Sequence, residues 1–243
     1  MPSPDSIGDV GTLAQDARHG PLPLILIGLT VVSGVVDAVS YLGLGHVFVA
    51  NMTGNVVFLG FVAGGAADIS AALSLVAIAS FALGALAGGR LGWNTSGHRG
   101  RLVAVSLCVQ AVAVGGALLV SLALFGVRDG VAAHALVLLL AFAMGLQTAT
   151  ARRLGVPDLT TTVLTLTITG LAADSHPAGG MHPNTVRRLL AIAAMFVGAF
   201  VGAVLIFRVS VSAALAVALV LLVLNAMAGY RWSSSTAAWT AAK

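Results

Sequence analysis

Residues 46–60 read His-Val-Phe-Val-Ala-Asn-Met-Thr-Gly-Asn-Val-Val-Phe-Leu-Gly, placing Asn51, Thr53, Gly54 and Asn55 close together in an otherwise apolar chain. A segment held in hydrocarbon cannot leave amides and hydroxyls unpaired, because each unmet group costs several kcal/mol. These side chains therefore bond to the protein itself or face a wet cavity. A second stretch of the same kind, residues 159–170, reads Leu-Thr-Thr-Thr-Val-Leu-Thr-Leu-Thr-Ile-Thr-Gly about half a chain later. Whether the two stretches cross a membrane or turn back within it decides the fold.

Composition makes the membrane the solvent. The chain has 243 residues, 58% hydrophobic and only 8% charged, whereas a soluble domain carries roughly 25% charged residues. So few charges cannot cover a water-facing surface. The net charge of +4 is scattered over helix ends rather than gathered on one face, which argues against nucleic acid as a partner and for charges that set topology. Cys108 stands alone and excludes an internal disulfide; in an apolar run it reads as a small packing residue. Residues 1–20 are polar, lack the features of a signal peptide, and read as a cytoplasmic tail.

Apolar runs at about 22–40, 70–89, 102–125, 132–150, 189–207 and 209–229 each approach the ~20 residues a spanning helix requires. The two polar stretches, about 47–63 and 159–173, are shorter. At ~1.5 Å per residue they barely cross a ~30 Å core. The threonine–aliphatic alternation within 160–169 favours extended backbone there. If both short stretches turn back and the N-terminus is inside, Arg128 and Arg208 are outside and the other basic residues are inside, 10 of 12. That is the asymmetry expected of cytoplasmic loops. If both span, Arg152–Arg153 and Arg187–Arg188 fall on opposite faces. The expected fold is thus an all-α membrane protein of six spanning helices, two broken segments, and a C-terminal cytoplasmic tail at 231–243.

The halves 21–130 and 131–230 resemble each other. At an offset of 112, Leu42-Gly43 matches Leu154-Gly155 and Thr53 matches Thr165. Gly34 and Ala38 match Gly145 and Ala149 at 111, and Gly84 and Gly88 match Gly198 and Gly202 at 114. Three spans per half would set the second half upside down, giving inverted 3+3 repeats. Interrupted segments near the midplane of such repeats are a recurring transporter plan.

Several of these residues also carry a family resemblance. Asp37-Ala38-Val39-Ser40-Tyr41-Leu42-Gly43, the Phe48–Asn55 run containing Asn-Met-Thr-Gly-Asn, and Gly145-Leu146-Gln147 through Gly155-Val156-Pro157-Asp158 resemble the YoaK family of bacterial membrane proteins, also called domain of unknown function 1275. The likeness extends over most of 22–229. Relatives usually carry Thr-Gly where this chain has Thr165-Leu166. The resemblance implies a multi-pass protein of the bacterial inner membrane and gives little on activity.

The candidate ligand-binding residues are Asn51, Thr53, Gly54 and Asn55 in the first broken segment, Thr162 and Thr165 in the second, and Asp37 and Gln147. Each has a plainer reading. The Asn and Thr groups can satisfy irregular backbone. Asp37, the one acid in a predicted span, could bind a cation or proton, or pair with Arg208. Gln147 could be a helix–helix hydrogen bond. Arg152–Arg153 could draw an anionic solute or merely orient the chain. His176 and His182, with only Asp174 nearby, make a poor metal site. No catalytic constellation and no cofactor motif is present in the sequence. The expected function is binding and moving a small solute between the two broken segments; the alternative is a non-transporting sensor or a structural, self-associating membrane protein.

Single cysteines in a Cys108→Ser background test the topology. Labels at Gly155 and Gly180 should react only from the inside, and labels at Gly45 and Ala66 only from the outside. Members of either pair reacting from opposite sides would show that the short stretches span.

Overall fold

Among the described residues, six helices are long and apolar enough to cross a membrane. They belong to a computed structural model that describes residues 18–95, 97–123, 130–159, 161–162, 164–175, 179–180 and 184–241. Helix α1 spans Leu22–Ala38 and continues as a π-helical turn over Val39–Gly43. A short helix, α2, covers Met52–Ala63. Two long helices follow, α3 over Ala71–Asn94 and α4 over Arg99–Ala123. Helix α5 covers Gly130–Leu154, and the short α6 covers Leu164–Ala173. The chain ends with α7 over Thr185–Arg208 and α8 over Val211–Tyr230. The all-α expectation holds, with every predicted span present and each running a few residues beyond its apolar stretch or within it.

Two sequence expectations are corrected. The threonine–aliphatic alternation favours extended backbone within 160–169, yet residues 164–169 are helical. Hydrocarbon penalises open backbone by more than the roughly 1 kcal/mol spread of strand propensity, so β-branched side chains cannot keep the chain extended. Cys108 is not a packing residue: it is exposed on the outer face of α4.

Small residues decide how the bundle closes. The most extensive packing joins α3 to α5 and α1 to α7, while α4 lies between α5 and α8, α2 rests on α3, and α6 rests on α7. At the α3–α5 crossing a Cβ on Gly84 would overlap the Phe142 carbonyl oxygen, and one on Gly145 would overlap that of Phe81. At the α1–α7 crossing Gly198 meets Val31 in the same way, and Gly34 meets Met195. Gly88 lies on Leu146 and Ala149, as Gly202 lies on Val35 and Ala38. Lipid supplies no hydrophobic drive between helices, so close backbone approach is what holds them together. Bulk is pushed outward, where Leu83, Phe196, Phe200 and Phe207 face away from the protein.

Replacing Gly84 by Val should lower the thermal midpoint in detergent, because overpacking a tight contact costs about 1–3 kcal/mol or more. A Cβ at Gly89 meets nothing within 4 Å. Gly89→Ala should therefore be neutral or stabilising by up to about 1 kcal/mol from helix propensity. Equal effects of the two changes would refute the packing argument.

Candidate functional site

The polar residues of α1 form one buried stripe. Thr30, Ser33, Asp37 and Ser40 are all buried, and their spacing of three and four residues places them on one helical face. Thr30 and Ser33 donate to the carbonyls of Leu26 and Leu29, at 2.8 and 3.1 Å. Such bonds satisfy a hydroxyl inside a helix without a partner elsewhere. Ser40, in the π-helical turn, donates back to the Asp37 carbonyl of α1 at 3.2 Å.

Asp37 caps the loop that follows α1: its Oδ1 accepts the Ala50 N–H at 3.0 Å. It is not paired with Arg208, which is exposed at the end of α7. That sequence expectation fails because the loop backbone reaches the carboxylate.

Helix α2 is fastened by Asn55, its one buried residue. The Asn55 Oδ1 accepts the Phe48 N–H at 3.0 Å, and its Nδ2 donates to the Phe48 carbonyl at 2.6 Å. Gly54 leaves room for the Phe48 ring, which a Cβ there would meet at 2.7 Å. Tyr41 stacks on Phe48 with ring centroids 4.9 Å apart, and Phe48 stacks on Phe58 at 5.9 Å. Asn51 and Thr53 are exposed. The Asn-Met-Thr-Gly-Asn element thus divides into a structural latch, Gly54 and Asn55, and an outward-facing pair, Asn51 and Thr53.

Some positions of the second short stretch lie at a near-constant offset from the first. Thr148 stands 111 residues after Asp37 and approaches Thr162, hydroxyl to hydroxyl, at 3.4 Å; Thr162 stands 112 after Ala50. Thr167 is the one buried residue of α6, as Asn55 is of α2, 112 positions earlier. His46 and Asp158, again 112 apart, both adopt left-handed φ, 59° and 62°. Thr165 is exposed and Thr161 buried. Thr160, His176 and His182 lie outside the described residues.

Gln147 is fully buried. Its Nε2 donates to Ser33 Oγ at 2.8 Å and more weakly to the Leu29 carbonyl at 3.4 Å. Its Oε1 has no partner among the described residues. Beside it a second polar group joins α4 to α5: Ser106 and Thr150 share a hydrogen bond of 2.9 Å, and Gln110 Nε2 donates to Ser106 at 3.0 Å. The Gln110 Oε1 is likewise without a partner. The site therefore brings Asp37 and Gln147 onto one polar seam, whereas Asn51, Thr53 and Thr165 point away from it.

Sequence reasoning missed Ser33, Ser106, Gln110 and Thr148; the three- and four-residue spacing along α1 and the offset from Asp37 were the available signals. It also missed Arg188. This buried arginine bonds Asp158 at 3.0 Å and Asp174 at 2.7 Å, and so fastens α6 and the loop after α5 to the start of α7.

Six apolar spans around a polar seam define a multi-pass membrane protein with a hydrogen-bonding interior. The chain belongs to the DUF1275 family, described as "Protein of unknown function (DUF1275)", whose profile matches residues 25–228. It is 33% identical over 181 residues to UPF0700 transmembrane protein YoaK of Bacillus subtilis (strain 168), covering 71% of this chain and 79% of that protein. No solved structure matches it.

Asn55→Ala should destabilise the fold by about 1–3 kcal/mol, because the half-buried Phe48 backbone groups lose their buried partner. Asn51→Ala and Thr53→Ala should lie within about 0.5 kcal/mol of the parent, as exposed changes do. Unfolding in detergent measures both, and an Asn55→Ala protein as stable as the parent would remove the latch.

Proposed function

We propose that this protein binds a small solute within the bundle and moves it across the bacterial inner membrane, without covalent chemistry. The observation that carries the reading is the buried seam of α1 and α5, where Asp37, Ser33 and Gln147 line up and the Gln147 Oε1 is unsatisfied. A purely structural bundle has no need of an orphan acceptor at a helix contact, since burying one costs about 1–3 kcal/mol. Intramembrane polar and ionisable groups that face the bundle interior mark solute and ion pathways.

The same reading arranges the halves as inverted repeats, with both termini cytoplasmic. Its support is that the tight contacts correspond pair by pair. Gly84 on Phe142 maps onto Gly198 on Val31, and Gly145 on Phe81 maps onto Gly34 on Met195. The Asp37–Ala50 and Thr148–Thr162 contacts correspond in the same way. A seam between two opposed halves is where alternating access would expose a midplane site. Asp37 stands toward the outer end of this path and Gln147 toward the inner. Asn55 and Gly54 belong to its scaffold.

Single cysteines at Ser33 and Gln147, in a Cys108→Ser background, test the path with a small, charged, membrane-impermeant thiol reagent. Both should react in intact membranes well above a lipid-facing control at Phe196, which is 69% exposed on α7. If neither outpaces the control while all three react after denaturation, the interior is dry. The sensor or structural reading then takes precedence.

A further inference from the structure

We infer that the groove between α3, α4 and α5 is a binding site for one anionic phospholipid. The groove has a volume of about 590 Å³, and its walls include Leu83, Leu86, Val109 and Phe142. It opens outward, toward the lipid. One end carries Arg90 and Asn94, both exposed, at the C-terminal turns of α3. Apolar walls suit an acyl chain. A guanidinium and an amide at one end suit a phosphate oxygen, because arginine donates in a planar fork that matches that group.

Three further observations favour a lipid headgroup and fix its charge. Trp93 and Tyr230 are 79% and 73% exposed at the same end of the bundle. Exposed aromatics of this kind mark the headgroup level, which puts Arg90 at the depth of the phosphates. Next, no acid among the described residues lines the groove. Asp158 and Asp174 are engaged by Arg188, Asp37 by the Ala50 amide, and Asp68 stands in the loop at the opposite end, before α3. No described carboxylate is there to receive the ammonium of a zwitterionic headgroup, so the site selects net negative charge. Third, the design recurs on the other side of α4. A groove of about 580 Å³ between α4 and α8 ends in Tyr230 and Arg231. Basic pockets between spanning helices on the cytoplasmic side are the expected form of an anionic-lipid site.

The test uses the full-length protein in detergent, carrying Arg231→Gln to silence the second groove. It is offered equal amounts of phosphatidylglycerol and phosphatidylethanolamine, and retained lipid is read by native mass spectrometry. This reference protein should retain phosphatidylglycerol preferentially. Adding Arg90→Gln should cut that preference about fivefold, the effect expected of one basic residue at an anionic headgroup. Ala87→Phe, which fills the groove with all charges kept, should lower retention of both lipids. The proposal falls if the reference protein shows no preference, if Arg90→Gln leaves it unchanged, or if Ala87→Phe leaves retention unchanged. It falls equally if excess inorganic phosphate abolishes the preference, since the arginine would then be reading free anions. Both variants alter partly or fully exposed positions of α3, so folding is preserved and each outcome bears on the lipid.

Discussion

At two helix crossings the backbone of one helix occupies the space where its neighbour would carry a side chain. Phe142 and Phe81 present carbonyls to Gly84 and Gly145, and Val31 and Met195 do the same to Gly198 and Gly34. These contacts set the separation of α3 from α5 and of α1 from α7, and the rest of the bundle follows. Close approach maximises dispersion contact where lipid offers no hydrophobic drive. It also makes α1 the inner helix, buried along most of its length. Only a helix so enclosed can present a row of hydroxyls and a carboxylate to the interior rather than to lipid.

Irregular backbone is the second constraint. After α1 the chain leaves the helical ladder, and its N–H and C=O groups need partners. Asp37 takes the Ala50 amide, and Asn55 takes both backbone groups of Phe48. In the second half an ion-pair cluster at Arg188 secures the short helix α6. A buried ion pair offsets its desolvation only when its geometry is good and its hydrogen bonds are made. Here one guanidinium spans two carboxylates, and the Asn184 side-chain amide donates to Asp158 at 3.1 Å. The cluster's role is to fix where α6 lies.

Chain length and apolarity made the six spans legible, because hydrocarbon thickness sets a length that few other segments reach. Their ends were less so: α4 and α7 begin several residues before the apolar runs do, taking in Arg99 and Arg187–Arg188. A helix keeps its ladder past the hydrocarbon edge, and hydropathy cannot see that. Facing was not legible either. Helix α4 is apolar nearly all round, so nothing in the sequence says that Cys108 looks outward while Gln110, two residues on, is buried. Asn55 was found, but its type alone could not separate a latch from a ligand. Arg188 was hidden because its partners stand 14 and 30 residues away in loops. The spacing of the glycines was visible. Its meaning, contact inside one protomer, needed the crossings.

Most buried polar groups here are explained by backbone they serve, and that makes the exceptions informative. Thr30 and Ser33 return their protons to their own helix, and Asp37 and Asn55 repair a broken one. Gln147 and Gln110 serve no broken backbone: each sits within a regular helix where leucine would pack without polar cost. Each amide places its nitrogen on a hydroxyl and leaves its oxygen unmet. For Gln110, exchanging the amide oxygen and nitrogen would change which atom is orphaned but not that one is, since the Ser106 hydroxyl can receive only one of them. Gln147 is fixed more firmly, because Ser33 already spends its proton on Leu29. Among the described residues, no donor between α1, α4 and α5 reaches either glutamine oxygen. Water or a solute bearing N–H or O–H groups would satisfy both oxygens.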